Sequence, residues 1–160
     1  MAKRIVVAVI GQGSPDSGPE AEAAEAVGAA LAQAGATVVT GGMGGVMAAA
    51  SRGARRAGGA VIGVVPGTDR GQALAEADAV VATGTGEARD LAVVASADAV
   101  VAIGGGWGTL AEIGLARKLG RPVVLLRSWS IRGPGGEAPP GCHRVETPEQ
   151  AAALALEVAR

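Results

Sequence analysis

Short apolar, β-branched runs alternate with helical stretches along the whole chain, and this alternation constrains the fold more than any other feature. The runs are Ile5–Ile10, Ala36–Thr40, Ala60–Val65, Ala79–Ala82, Asp98–Ile103 and Pro122–Leu126. Most of them stop at glycine or proline. Between them lie segments whose apolar residues recur at helical spacing. Strands alternating with helices predict βαβ units and a parallel sheet. Right-handed crossovers then set helices on both faces of that sheet. The expected fold is α/β: a single Rossmann-like three-layer domain spanning residues 1–160, with a parallel sheet of about six or seven strands. Composition sharpens this. The chain is 49% hydrophobic but only 1% aromatic, with two Trp and no Phe or Tyr. Its core must therefore be Val, Ile, Leu and Ala, the palette of a buried parallel sheet.

The punctuation between runs places the helices. Pro19 opens the first, with Ser17 or Gly18 near its cap. Its inward face is expected to carry Ala23, Val27, Ala30, Leu31 and Ala34, and Gly35 ends it. A second helix, 46–57, has Arg52, Arg55 and Arg56 on its outer side. The stretch 68–78 reads as a loop with one helical turn. A third helix, 87–97, is expected to point Leu91 and Val94 inward. A fourth, 109–119, stops at Gly120. Residues 131–143, rich in Gly and Pro, are expected to form a mobile loop. Thr147-Pro148-Glu149-Gln150 is a capping box with proline in the first turn, and it opens a last Ala-rich helix.

Several function classes are excluded at this level. A net charge of −1 with mixed signs lacks the basic footprint of a nucleic-acid binder. The single cysteine, Cys142, excludes an internal disulfide and a cysteine-rich metal site. His143 is the only histidine and has no partner in view, so no metal site or catalytic triad is expected. Lys3 and Arg4 precede an apolar run too short for a signal peptide. No segment approaches the ~20 apolar residues that span a bilayer. The expectation is a soluble, cytoplasmic protein with no membrane or nucleic-acid partner.

Three glycine-rich turns follow strands: Gly11–Ser14, Gly41–Gly45 and Gly104–Gly108. In a parallel sheet all three open on the same edge, where ligands of such folds bind. Gly104-Gly105-Gly106-Trp107-Gly108-Thr109 has more glycine than a plain turn requires. A helix N-terminus offers unpaired N–H groups and partial positive charge, and glycine lets an anion approach them. This turn is therefore expected to bind phosphate, with Thr109 donating its hydroxyl or capping the helix. Glu112 has two readings. It completes a Thr-x-x-Glu capping box, or it presents a carboxylate to the ligand. Arg89 stands near a helix start, against the dipole by roughly 0.3–1 kcal/mol. That placement points to an anionic partner, although Asp90 beside it offsets the charge. Trp107 either stacks on a ligand ring or packs on a neighbouring subunit. The candidate ligand-binding set is Gly11, Gly13, Ser14, Gly41, Gly42, Met43, Gly44, Gly45, Met47, Arg89, Gly104, Gly105, Gly106, Trp107, Gly108, Thr109 and Glu112.

Taken in order, Gly13-Ser14, Gly41-Gly42-x-Gly-Gly-Val-Met47, the strand ending Val-Val-Pro66, Ala88-Arg89 and Gly105-Gly106-x-Gly-Thr-x-x-Glu112 resemble the LOG (lonely guy) superfamily. The resemblance covers residues 5–126. It implies a Rossmann-like fold and a homodimer or homotetramer. In the phosphoribohydrolase branch the motif PGGxGTxxE holds the phosphate of a nucleoside 5′-monophosphate such as AMP or a cytokinin ribotide. An Arg and the motif's Glu cleave the N-glycosidic bond, and the matching positions here are Arg89 and Glu112. This chain has Gly104 where that motif has proline, and Asp90 where a basic residue follows the arginine. In both respects it is more similar to the branch containing molybdenum cofactor carrier proteins, which implies that it binds a phosphate-bearing pterin. The two implied activities, carrier and hydrolase, both use a phosphorylated heterocycle. No lysine suited to pyridoxal phosphate is indicated, so lysine decarboxylation is not implied.

Overall fold

Seven parallel strands form one sheet in the order β4-β3-β2-β1-β5-β6-β7 in the computed structural model, which describes residues 3–159. The strands are β1 (Val6–Gly11), β2 (Thr37–Thr40), β3 (Ala60–Val65), β4 (Ala79–Ala82), β5 (Ala99–Ile103), β6 (Val123–Leu126) and β7 (Cys142–Val145). The helices are α1 (Pro19–Gln33), α2 (Val46–Arg56), α3 (Arg89–Ala95), α4 (Trp107–Lys118) and α5 (Pro148–Val158). Helices α1, α2 and α5 cover one face, where Val27, Leu31, Ala49 and Ala151 meet Val7, Val101 and Leu126. Helices α3 and α4 cover the other, where Val93, Val94, Ile113 and Ala116 meet Ala8, Ile10, Val100 and Val123. The buried hydrophobic residues are all Ala, Val, Ile or Leu, as the lack of aromatics requires.

One hexapeptide occurs twice and separates local from global causes. Ala-Asp-Ala-Val-Val-Ala stands at 77–82 and again at 97–102. Both copies form a strand. In both, the aspartate backbone N–H and carboxylate close a pair of bonds with the neighbouring strand. Asp78 donates to Val61 O at 2.9 Å and accepts from Val61 N at 2.8 Å; Asp98 does the same with Val6 at 2.8 and 2.9 Å. Their surroundings then diverge. β5 lies at the centre and all five of its residues are buried. β4 lies at the edge, and Val81 is half exposed. Local chemistry selects the strand and its aspartate plug, and position in the sheet sets burial.

Several expectations need correction. The Gly/Pro-rich segment ends earlier than its composition indicated, because Cys142 and His143 belong to β7, paired with Val123 and Val124. An edge strand of sequence Cys-His-Arg-Val has no buried alternation to mark it. Leu91 points outward and is 44% exposed, although its spacing matched the inward-facing Val94. Ala34 lies just past α1 and is exposed. The third helix is split, with a 3-10 turn at Gly86–Ala88 preceding α3. Helix α4 begins at Trp107, two residues before Thr109, and this shift matters for the site.

Candidate ligand-binding site

Strand order reverses at the β1–β5 pair. β2, β3 and β4 continue to one side, β6 and β7 to the other. The C-terminal ends of β1 and β5 therefore diverge into a crevice, the usual ligand position in open α/β sheets. A cavity of about 530 Å³ opens there. From the candidate set, Gly11, Gly13, Ser14, Met43, Gly44, Met47, Arg89, Gly106, Gly108, Thr109 and Glu112 line it. All three glycine turns thus contribute to one wall or another. Gln12 and Asp90 line it too and were absent from the set. Their signal was adjacency, since Gln12 sits between two lining glycines and Asp90 follows Arg89.

The remaining candidates stand behind the wall or outside it. Gly41 seats Arg89: its carbonyl accepts from the Arg89 Nη1 group, and a Cβ at this position would lie 2.5 Å from that nitrogen. Gly42 N donates to the buried Thr40 hydroxyl at 3.1 Å. Gly45 N donates to the Asp16 carboxylate. Gly104 and Gly105 line a second cavity. Trp107 projects from the first turn of α4, 78% exposed, with its ring 5.2 Å from that of Trp129.

The two helix starts at the crevice differ in what they offer an anion. Two N–H groups at the start of α2 are already taken. The Asp16 carboxylate takes Gly45 N, and Gln12 O takes Val46 N at 3.0 Å. The start of α4 has no side-chain cap, and its N-cap is Gly106. The first N–H groups of a helix have no partner within it. Here they belong to a stretch, Gly106–Thr109, three of whose four residues line the cavity. A helix of twelve residues also brings its dipole to this end. The start of α4 is thus an uncapped helix end facing the cavity.

Arg89 supplies a fixed cation. Its Nη1 group donates to the backbone carbonyls of Gly41 and Val64, the latter at 3.0 Å, and its Nε donates to Asp90 Oδ1 at 2.8 Å. The side chain is 14% exposed. Glu112 is not a cap. With the helix starting at Trp107, Thr109 is already its third residue, and no capping box forms. Glu112 is half-buried on the cavity wall. Burial pushes its carboxyl up to about 8, the Asp90 carboxylate adds to the rise, and the Arg89 charge opposes it. At neutral pH the group is protonated and is a hydrogen-bond donor toward an anion.

With the site described, its relatives are informative. A model of the SLOG cluster4 family matches residues 4–152. The chain belongs to the SLOG cluster4 family. It is 37% identical over 151 residues to an uncharacterized protein of Archaeoglobus fulgidus, covering 93% of each chain. Its structure is similar to that of a molybdenum cofactor binding protein from Rippkaea orientalis, with a TM-score of 0.86, 28% identity and 100% of both chains covered. It is also similar to the molybdenum cofactor carrier protein of Chlamydomonas reinhardtii, with a TM-score of 0.83, 32% identity and 98% of both chains covered. In this SLOG cluster4 chain Gly104 has φ +58°, a value closed to proline, whose ring holds φ near −65°. Its glycine turn is thus a different backbone from one that begins with proline. Among the described residues, no helix is long and apolar enough to cross a membrane.

Proposed function

We propose that this protein binds molybdenum cofactor, a phosphate-bearing pterin, as a carrier of the LOG superfamily, with the phosphate at the start of α4. The observation that carries this reading is the uncapped first turn of α4 facing the cavity beside Arg89 and a protonated Glu112. Each of these groups is a donor or a positive charge, and together they suit an anion. Likeness to a cofactor-binding protein and a cofactor carrier supports the choice of cargo. Met43 and Met47 add soft apolar surface to the same cavity. The reading places the protein in the cytoplasm, as an assembly of copies.

Carriage is favoured over hydrolysis by the state of the two residues that would catalyse it. An oxocarbenium-like transition state needs a carboxylate beside it. Glu112 is neutral at pH 7, and Asp90 is already paired with Arg89. Arg89 in turn is held by two backbone carbonyls.

Gly108→Leu tests the assignment. A Cβ at Gly108 meets no atom within 4 Å, so the substitution fills the cavity without disturbing its wall. Replacing a helical glycine also favours the helix by roughly 0.5–1 kcal/mol. The wild-type protein, mixed with molybdenum cofactor released from a molybdoenzyme and passed through a sizing column, is expected to retain pterin, read as its fluorescent oxidation product. Gly108→Leu is expected to retain none. Equal retention by both proteins, or none by the wild type, would refute the proposal.

A further inference from the structure

The glycine turn after β5 has two faces. Gly106 and Gly108 line the cavity already described, whereas Gly104 and Gly105 line a second one of about 420 Å³. Gln12 lines both and stands between them. The other walls come from Glu20 in the first turn of α1 and from Arg127, Ser128 and Trp129 after β6.

This second wall is held in place. Ser128 Oγ donates to Gly104 O at 2.6 Å, and Trp129 Nε1 donates to Gly106 O at 3.2 Å. Arg127 is the one non-glycine among the described residues with a positive φ, +51°. A non-glycine residue is strained there unless its surroundings impose the conformation, and such residues gather at ligand clamps. The Arg127 Nη1 group donates to Pro19 O at 3.2 Å, which brings the guanidinium beside Glu20 at the start of α1. No ion pair among the described residues uses Glu20 or Arg127. The cavity therefore presents an uncommitted carboxylate, a cation near it and an indole. Trp107 and Trp129 are the chain's only aromatic residues, and they pair at this spot.

We infer that the second cavity binds the ring of a 2-amino-4-oxopyrimidine, the edge shared by pterins and guanine, while the phosphate of the same ligand lies at α4. This rests on the proposed function and names the ring-reading half of that site. The edge carries a ring N–H and an exocyclic amino group side by side, with a carbonyl next to them. The Glu20 carboxylate accepts from the two nitrogens, the Arg127 guanidinium donates to the carbonyl, and the Trp129 indole takes the ring face. Adenine presents a bare ring nitrogen where this edge has N–H, so it sets a lone pair against the carboxylate. A site built to hydrogen-bond a group discriminates strongly against an analogue that lacks it.

Titrations of the full chain with GMP, AMP and pterin, read by calorimetry and by pterin fluorescence, test the assignment. GMP is expected to bind at least about tenfold more tightly than AMP, a gap within the reach of one charged hydrogen-bonded pair. Glu20→Gln is expected to bring the GMP-to-AMP ratio close to one, and Arg127→Ala to weaken GMP and pterin together. Binding of pterin without GMP would assign the edge to a pterin ligand. Binding of GMP without pterin would assign it to a guanine nucleotide. Either result supports the inference. A GMP-to-AMP ratio unchanged by Glu20→Gln in a folded variant, or equal binding of AMP by the wild type, would overturn it. Gly108→Leu separates this failure from that of the phosphate site. If it abolishes GMP binding while Glu20→Gln leaves the ratio intact, only the ring assignment falls. If Gly108→Leu binds GMP as the wild type does, the phosphate site falls.

Discussion

Glu112→Gln should make the protein more stable, by an amount that is absent in acid and grows as pH rises from about 4.5 to about 8. The Glu112 carboxyl is raised from an ordinary value of 4.5 to about 8, first by burial and then by Asp90, with Arg89 opposing. In the unfolded chain the group ionises as pH passes its ordinary value. In the folded protein it stays protonated until about pH 8. Across that window the folded state binds more protons than the unfolded one, so stability falls as pH rises. Below the window both states are protonated and nothing is lost. At about 1.4 kcal/mol per pKa unit, the whole shift corresponds to about 5 kcal/mol, an upper limit. Glu112 is half-buried at a cavity open to solvent, and screening brings the expected loss to about 2 kcal/mol. Glutamine has the same size and cannot ionise. Thermal melts of both proteins from pH 4 to pH 9 should therefore coincide at the acid end, separate progressively above about pH 4.5 and keep a constant gap above about pH 8. At the alkaline end Glu112→Gln is expected to melt roughly 4–8 °C higher, taking about 2–4 °C per kcal/mol for a chain of this size. The same ionisation should weaken inorganic phosphate binding above pH 8 in the wild type but not in the variant. A melting difference independent of pH, or a variant less stable at pH 9, would refute the burial argument.

Two further expectations follow from the site and the surface. AMP incubated with the wild-type protein at pH 7 is expected to stay intact on chromatography, because Glu112 is neutral and Arg89 is tied down; release of adenine that disappears in both Arg89→Ala and Glu112→Gln would establish the hydrolase instead. Light scattering is expected to read a dimer or tetramer, given the Ala-rich helix surfaces and the outward-facing Leu91, and a monomer would contradict it.

The strands β1 to β6 were legible because each is a Val- or Ile-rich run in a sheet that is mostly buried on both faces, and such runs need no tertiary context to be seen. β7 was not, because at an edge with a single neighbour Cys-His-Arg-Val carries no burial pattern. Leu91 was misplaced for a related reason: helical spacing identifies an apolar stripe but not whether another layer covers it. The convergence of the three turns followed from parallel topology alone, since every strand in such a sheet ends on the same edge. What the turns do individually did not follow. Thr109-x-x-Glu112 satisfies a capping pattern, yet whether it caps depends on where the helix starts. That start is set by Gly104 and Gly105, whose φ values of +58° and +131° release the chain into α4 two residues early and free Glu112 for the cavity. At the start of α2 the Gly45 N–H is taken by Asp16, 29 residues before it, and no local pattern announces that contact. Glu20 and Arg127 lie still further apart in the chain. They meet because β1 and β6 flank β5, so the segments leaving those strands border the same glycine turn. Topology thus decides which turns share an edge, whereas the backbone of a single turn decides which side chains face the ligand and which only hold the wall.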